Sequence, residues 1–223
     1  QIYSLTNDYE LINNLPSTSE LAFVLMQGLF RNLSLCLSKV HAQGWDYTGV
    51  MGHQLAGSTV GILGYGRLGK IFADQLSGFN VKTLICESNS DVKVPAEYDQ
   101  VTIEELFSSS DAVAIHIHST EANKGLISSD LLAKAKRGIY IVNTSRGDIV
   151  DEEAISEKIV SGDIGGYATD VLESEFSNIS DSPIFKLFQL NMYNILVTPH
   201  VGGMTFEGQE KAFLYALKKF KLS

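Results

Sequence analysis

Four features of the sequence have residue types that could carry out redox chemistry on a dinucleotide. A glycine fingerprint, Gly64-Tyr65-Gly66-Arg67-Leu68-Gly69, comes first, and Arg146, Glu175 and His200 follow it along the chain. A fingerprint of this form holds a dinucleotide, and the three later residues could run hydride chemistry beside it. Each feature alone is a modest indication. Their order within segments that have strand and helix patterns predicts a functional site.

The segments on either side of the fingerprint support its interpretation as a dinucleotide-binding turn. Residues 58–63 are a short apolar run typical of a buried parallel strand, and residues 66–76 have a helical pattern. In that context Gly64 permits a tight turn, Gly66 lets the backbone approach a pyrophosphate, and Gly69 lets helix and strand pack closely. The helix N-terminus then offers free amides and a partial positive charge to the phosphates.

Glu87 stands where a dinucleotide site needs an acidic residue. It lies 18 residues beyond Gly69, at the end of the next predicted strand, and could accept hydrogen bonds from the adenosine ribose. A carboxylate there repels a 2′-phosphate, and the following Ser88-Asn89-Ser90 supplies no cation to hold one. The sequence therefore favours NAD over NADP. The alternative is that Glu87 merely ends a strand.

The elements that must position these residues alternate between strand and helix. Strands are predicted at 58–63, 81–86, 112–117, 138–142, 166–169 and 195–197. Helices are predicted at 66–76, 102–107, 129–136 and 152–160, in a short turn after Pro183, and at 206–220. Repeated alternation with right-handed crossovers predicts an α/β fold with a doubly wound parallel sheet.

A longer helix is predicted before the first strand, at about 18–31. Ser17-Thr18-Ser19-Glu20 has the form of a capping box, in which the first hydroxyl and the glutamate carboxylate satisfy free amides of the helix. Apolar residues recur at helical spacing, and Phe23 and Met26 widen the apolar surface beyond one stripe. This helix is therefore expected to meet more than one partner surface. A polar linker at 41–57 leads from it to the first strand.

Composition and charge argue against several classes of partner. The chain has 223 residues, 44% apolar and 19% charged, with a formal net charge of −9. That balance is ordinary for a globular protein and predicts no nucleic-acid partner. The two cysteines lie 50 positions apart without a CxxC pair, which predicts neither a metal site nor a disulfide. The two cysteines fit reduced, buried thiols, so a cytoplasmic location is expected. The most apolar stretch, 21–37, falls short of the roughly 20 apolar residues of a membrane span, so no membrane partner is expected.

Three segments, each after a predicted strand, carry a family resemblance. They read Asn143-Thr144-Ser145-Arg146-Gly147, Asp170-Val171-Leu172-Glu173-Ser174-Glu175 and Thr198-Pro199-His200-Val201-Gly202-Gly203. Together with the fingerprint they resemble the D-isomer-specific 2-hydroxyacid dehydrogenase family, which includes D-lactate, glycerate and 3-phosphoglycerate dehydrogenases. The resemblance covers nearly the whole chain and implies a Rossmann-type NAD-binding domain.

The resemblance implies a catalytic role for each of the three later residues. Carried over by position, Arg146 binds the substrate carboxylate and polarises the carbonyl, Glu175 orients the histidine, and His200 is the acid and base. A guanidinium pairs well with a 2-oxo carboxylate, and an imidazole exchanges protons near neutral pH. Singly each could be an ordinary polar loop residue. All three, however, follow the carboxyl ends of strands, where open α/β sheets place their sites.

The resemblance also implies a set of cofactor contacts. Beyond Gly64, Gly66, Gly69 and Glu87, these come from Arg67, Leu68, Ile117, His118, Asn123, Thr144 and Asp170. Two positions depart from the family pattern: His118 stands where proline is common, and Phe176 stands where proline often follows the glutamate. Neither departure touches the three catalytic candidates.

Family members carry a second, smaller substrate domain, built mostly from polypeptide that precedes the helix at 18–31. This chain has only 16 residues there. We expect residues 1–16 to be a remnant of that domain or a linker, 17–204 to form the NAD-binding domain, and 205–223 to form a helix that returns to the substrate domain. With the second domain largely absent, the chain is expected to bind NAD and to turn over weakly or not at all.

Several interpretations of the function remain open. The first is an NAD-dependent dehydrogenase acting on a 2-hydroxy or 2-oxo acid. The second is an NAD-sensing interaction module similar to the C-terminal-binding-protein corepressors, which keep the three catalytic residues and act chiefly through partners. A formate-type dehydrogenase is disfavoured, because those relatives pair the histidine with glutamine and this chain has Glu175. The helix at 18–31 resembles the family's dimerisation arm, so a homodimer is expected, with an ordinary core helix as the alternative.

Overall fold

The fold is built on one parallel β-sheet. The structure is a computed structural model and describes residues 15–222. Its strands are β1 (Thr59–Leu63), β2 (Lys82–Cys86), β3 (Asp99–Gln100), β4 (Ala112–Ile115), β5 (Ile139–Asn143), β6 (Ile164–Thr169) and β7 (Ile195–Val197). They lie in the order β3-β2-β1-β4-β5-β6-β7, and all neighbours are parallel. The strand order reverses between β1 and β4, so the predicted doubly wound α/β fold is confirmed.

Helices cover both faces of this sheet. They are α1 (Ser17–Phe30), α2 (Leu33–His41), α3 (Arg67–Leu76), α4 (Ile103–Ser109), α5 (Ser129–Leu132), α6 (Glu152–Ser161), α7 (Pro183–Gln189) and α8 (Phe206–Leu222). Residues of α1 and α3 belong to the core on one face, and residues of α4, α5, α6 and α7 belong to the core on the other. Two separate apolar cores therefore hold the strands between them.

The central strands of the sheet, β4 and β5, are largely apolar because both of their faces are buried. On β5, Ile139 and Ile141 belong to the core beneath α4 to α7, while Tyr140 and Val142 belong to the core beneath α1 and α3. Side chains alternate between the two faces along a strand, so a strand covered on both sides keeps no polar face. This burial explains why unbroken apolar runs predict the strand positions.

The start of α1 differs from the sequence prediction. The predicted capping box at Ser17 and Glu20 does not form, because Pro16 already has helical dihedrals (φ −83°, ψ −10°) and is the N-cap. Ser17 is consequently inside the first turn, and its hydroxyl lies 2.9 Å from the Thr205 hydroxyl instead. The sequence also predicts a capping box at Thr102 and Glu105, before α4. This box does form, since Thr102 keeps the extended backbone that a capping residue needs (φ −71°, ψ 164°).

The sequence does not predict α2 or β3. Asn32, with a left-handed backbone (φ 49°), separates α1 from α2, and none of the α2 residues is fully buried. The left-handed residue Asn32 interrupts the helical register that begins in α1, so the predicted helix stops before α2. β3 has only two residues, and α5 ends at Leu132, short of the predicted end at 136. Because α2 ends at His41, the linker predicted at 41–57 begins one residue later, at Ala42.

No single helix between residues 15 and 222 has the length and apolar composition to cross a membrane. Only α1 and α2 taken together pass that test, and they are bent by 69° where they meet. Within the same residues, no group of three or more His, Cys, Asp and Glu side chains is placed to hold a metal ion.

Candidate cofactor and active site

The glycine fingerprint forms the turn between β1 and α3. Gly64 has φ 94°, and a Cβ there would lie 2.7 Å from Ile117 Cγ2. A Cβ on Gly69 would lie 2.0 Å from the Gly64 carbonyl oxygen, so both positions need glycine. A Cβ on Gly66 would meet nothing within 4 Å, because the space beside it is open. The N-terminus of α3 has no side-chain cap, which leaves its first amides free for a ligand.

Glu87 ties the end of β2 to this turn. One carboxylate oxygen accepts a hydrogen bond from the Tyr65 amide at 2.7 Å, and the other accepts one from the Asn89 amide at 2.8 Å. A carboxylate oxygen has room for a second donor, so these contacts leave capacity for sugar hydroxyls. Glu87 therefore does more than end a strand, and its contact with the adenosine ribose stays a prediction.

A cleft of about 830 Å³ begins at the fingerprint turn. Of the predicted cofactor contacts, it is lined by Gly64, Gly66, Arg67, Leu68, Glu87, Ile117, His118 and Asn123. Asn123 shapes the wall, because its amide accepts from the Thr120 N–H at 2.7 Å and donates to the His118 carbonyl at 2.6 Å. The open space at Gly66, the uncapped helix start and Glu87 together fit a pyrophosphate with an adenosine ribose beside it.

A smaller cleft of about 400 Å³ continues from the first. Its predicted lining residues are Arg67, Leu68, Ile117, His118, Thr144, Arg146, Asp170 and His200. Arg67, Leu68, Ile117 and His118 line both clefts, which therefore form one groove. The groove has the fingerprint and Glu87 toward one end and two of the three catalytic candidates toward the other.

His200 and Glu175 form a hydrogen-bonded pair. Nδ1 of His200 lies 3.0 Å from Oε1 of Glu175; the Glu175 side chain is 15% exposed and that of His200 is 43% exposed. A carboxylate at Nδ1 holds the proton on that nitrogen and leaves Nε2 as the nitrogen for proton exchange with a ligand. The backbone of His200 is left-handed (φ 54°), and its amide donates to the Asp170 carbonyl at 2.9 Å. Hydrogen bonds thus hold both the ring and the main chain of His200 in place.

Asp170 organises the loop that carries the histidine. One of its oxygens accepts from the Thr198 hydroxyl at 2.6 Å and the Val201 amide at 2.9 Å, and the other accepts from the Gly202 amide at 2.7 Å. These bonds join the end of β6 to the loop after β7, and Asp170 is only 2% exposed. Its main task in the structure is to hold this loop. The contact with the nicotinamide carboxamide implied by resemblance stays a prediction.

Arg146 stands on a turn that Asn143 holds in shape. The Asn143 side chain donates to the Arg146 carbonyl at 2.9 Å and accepts from the Ser145 amide at 3.0 Å. The guanidinium is exposed, and one of its N–H groups donates to the Ser145 carbonyl at 2.6 Å. Arg146 lines the same small cleft as His200, so a ligand there has a fixed cation and an imidazole within one pocket.

Two buried polar side chains in this groove have no hydrogen-bond partner within residues 15–222. They are Thr144, whose hydroxyl oxygen is unpaired, and His116, whose two ring nitrogens are both unpaired. Burial lowers the pKa of His116 to about 4, so its ring is neutral at physiological pH. Thr144 is among the predicted cofactor residues, whereas the sequence leaves two interpretations open for His116, a structural residue or one that lines the cofactor site. Its place directly after the fully buried β4, beside the reversal of strand order, is the signal that could have identified it.

The sheet order, the glycine turn and the groove define the class of this protein: a Rossmann-type dinucleotide-binding domain. The family description "D-isomer specific 2-hydroxyacid dehydrogenase, NAD binding domain" matches residues 23–202, and the chain belongs to this family. The predicted family is thus confirmed, and NAD is the cofactor of such domains.

Individual relatives agree with this assignment. The chain is 33% identical over 205 residues to hydroxypyruvate reductase of Thermotoga maritima, covering 92% of the chain and 65% of the relative. It is 32% identical over 205 residues to D-3-phosphoglycerate dehydrogenase of Mycobacterium leprae, covering 90% and 37%. The solved structure of an NAD-dependent formate dehydrogenase from Staphylococcus aureus in complex with NAD is 31% identical, with a TM-score of 0.82 over 93% of this chain and 62% of that one. The chain therefore spans less than two thirds of each relative.

Proposed function

We propose that the protein containing this chain is an oxidoreductase that transfers a hydride between NAD(H) and a 2-hydroxy or 2-oxo acid. The observation that carries the proposal is the His200–Glu175 pair, 3.0 Å apart, at the end of a groove that begins at the glycine fingerprint. The dinucleotide supplies or accepts the hydride when it is bound. The protein's own residues then have to hold the acid and move one proton.

Each of the three residues has a task that its position supports. The exposed guanidinium of Arg146 binds the carboxylate of the acid through paired hydrogen bonds. Nε2 of His200 gives a proton to the carbonyl oxygen during reduction and takes it back during oxidation. Glu175 keeps the imidazole in the tautomer that exposes Nε2 and stabilises its charged form. The family relationship and the shared cleft support these roles.

The test is turnover in the longest natural form of the protein that contains this chain. Oxidation of NADH is followed with a panel of 2-oxo acids, and each acid is repeated with NADPH. We expect at least one acid to be reduced, with NADH preferred because Glu87 repels a 2′-phosphate. Saturable NADH binding without reduction of any acid would contradict the enzyme proposal. It would favour the NAD-sensing interaction module instead.

We propose in addition that the protein is a homodimer. The side of α1 that packs on the sheet is core, whereas Trp45, Tyr47 and Met51, which follow α2, are 92%, 89% and 87% exposed. On the helices themselves Leu37 and Val40 of α2 are also about half exposed. Tyr47 and Met51 line one depression together with Gln27 and Arg31 at the end of α1. Exposed apolar side chains of this size mark an interaction surface. A second copy of the chain is the expected occupant, because the family resemblance places the dimer contact on the helix at 18–31, where Val24 is 61% exposed.

Light scattering after size exclusion measures this state. We expect a dimer at micromolar concentration, and a monomer after Leu37→Glu, because a buried unpaired carboxylate is costly. Lys93→Glu is the control for Leu37→Glu, because it introduces the same side chain at an exposed site in the β2–β3 connection. This variant should remain a dimer. A monomeric parent protein would contradict the proposal.

A further inference from the structure

His116 is a buried side chain in the groove with no assigned task. It directly follows β4, is only 9% exposed, and lines both the large and the small cleft. Its backbone amide donates to the Leu63 carbonyl at 2.8 Å, and its own carbonyl lies against Gly64. The main chain of His116 is therefore fastened to the fingerprint turn, which fixes where its side chain can reach.

The imidazole itself is not fastened by hydrogen bonds. Neither Nδ1 nor Nε2 has a partner within the described part of the chain, and the ring instead packs on Phe72, with centroids 5.0 Å apart. A neutral imidazole has one N–H donor and one acceptor nitrogen. Leaving both nitrogens unpaired inside a protein is unfavourable. An apolar aromatic ring could replace the imidazole without this cost, so the stability of the folded domain does not explain a histidine at this position.

The position of the His116 ring indicates which group could form hydrogen bonds with its two nitrogens. His116 lies with Arg67, Leu68, Ile117 and His118 at the junction of the two clefts, which a dinucleotide that filled both clefts would have to cross. The Thr144 hydroxyl is also buried without a partner among the described residues, and it lines the small cleft beside this junction. The oxygens of a dinucleotide that cross such a junction belong to its phosphates and its second ribose. These oxygens accept hydrogen bonds, and the ribose hydroxyls also donate them.

We propose that His116 is a cofactor-binding residue whose imidazole donates a hydrogen bond to a phosphate or ribose oxygen of NAD(H), and that this bond forms only when the cofactor is present. Both ring nitrogens are buried in the free protein, so the ring turns away from Phe72, or the adjoining turn shifts, as the cofactor enters. The proposal depends on cofactor binding and is independent of which acid the protein reduces.

His116→Phe tests the proposal, because phenylalanine keeps a planar ring and removes both nitrogens. Without NAD, we expect the unfolding midpoint of the variant to equal or exceed that of the parent chain, since no polar atom is left unpaired. The dissociation constant for NAD should rise about three- to tenfold, the equivalent of one lost hydrogen bond. His53→Phe is the matched control, at an exposed histidine outside both clefts, and should leave NAD affinity unchanged.

Two results with this variant would overturn the proposal. One is an unchanged NAD dissociation constant. The other is a lower unfolding midpoint in the absence of NAD, because it would mean that the imidazole is already bonded in the free protein.

Nuclear magnetic resonance on the parent chain gives a second test that needs no variant to fold. We expect saturating NAD to shift the ring nitrogens of His116 and to reveal a slowly exchanging ring proton. ADP-ribose should do the same, because it has both phosphates and the second ribose and lacks only the nicotinamide. A response to NAD and none to ADP-ribose would overturn the stated partner. Saturable NAD binding with no change at His116 would refute this inference alone, whereas absence of NAD binding would also refute the cofactor role on which the proposed function depends.

Discussion

Replacing His200 by asparagine is expected to lower kcat/KM for the 2-oxo acid by about 100- to 10,000-fold, the contribution usual for a general acid. NADH binding should be nearly unchanged, because the substitution removes the imidazole and leaves the fingerprint and Glu87 intact. Asparagine is the suitable replacement because it tolerates the left-handed backbone that His200 adopts (φ 54°). Loss of activity in this variant can therefore be attributed to the missing acid and not to a displaced loop.

A substitution at Glu175 tests the same role of His200, with a smaller expected loss of activity. Glu175→Gln keeps a hydrogen-bonding group near Nδ1 of His200, 3.0 Å away in the parent, and removes the negative charge. Activity should fall, by less than in the His200 variant, because the ring stays in place while its charged form loses a partner. His41→Asn, at an exposed site at the end of α2, is the control and should be fully active. A His200→Asn enzyme that kept most of the parent activity would rule out His200 as the acid.

Six of the seven described strands could be predicted because each is a local apolar run, and a helix separates each such run from the next. The two-residue strand β3 has no apolar run, and the order of the strands in the sheet is set by the whole fold. Helix starts were less predictable. Ser17 and Thr102 both begin a capping-box pattern, but only Thr102 caps a helix, because the dihedrals of Pro16 start α1 one residue earlier. The pattern of side chains is the same at both places, and the preceding backbone decides the outcome.

The site was predictable as a set of residue types and less so as a set of contacts. The sequence identifies the segments of Arg146, Glu175 and His200, and the structure brings Arg146 and His200 into one cleft with Glu175 bonded to the imidazole. The bonds from Asp170 to the loop after β7 span about 30 positions, which no local pattern encodes. The sequence left His116 undecided between a structural and a cofactor-lining residue for a related reason. A histidine at the end of an apolar strand looks structural until the absence of a partner for its ring is seen.

Gly69→Ala is expected to have the largest effect on stability. A Cβ at this position would lie 2.0 Å from the Gly64 carbonyl oxygen and 3.1 Å from its carbon, and both are backbone atoms that cannot rotate away. Helix α3 must therefore move off β1, which costs about 3 kcal/mol, at the upper end of the usual penalty for overpacking. For a domain of this size the melting temperature should fall by roughly 6–12 °C.

The same displacement should weaken NAD binding by at least about tenfold, because the amides at the start of α3 no longer face the phosphates. Gly78→Ala is the matched control, since a Cβ there meets nothing within 4 Å and the residue lies just beyond the end of the same helix. It should change stability by no more than about 0.5 kcal/mol and leave NAD affinity as it is. Thermal unfolding and calorimetric titration of the two variants provide the comparison. If Gly69→Ala behaved like Gly78→Ala, the close approach of α3 to the turn would not be what holds the cofactor end of the groove together.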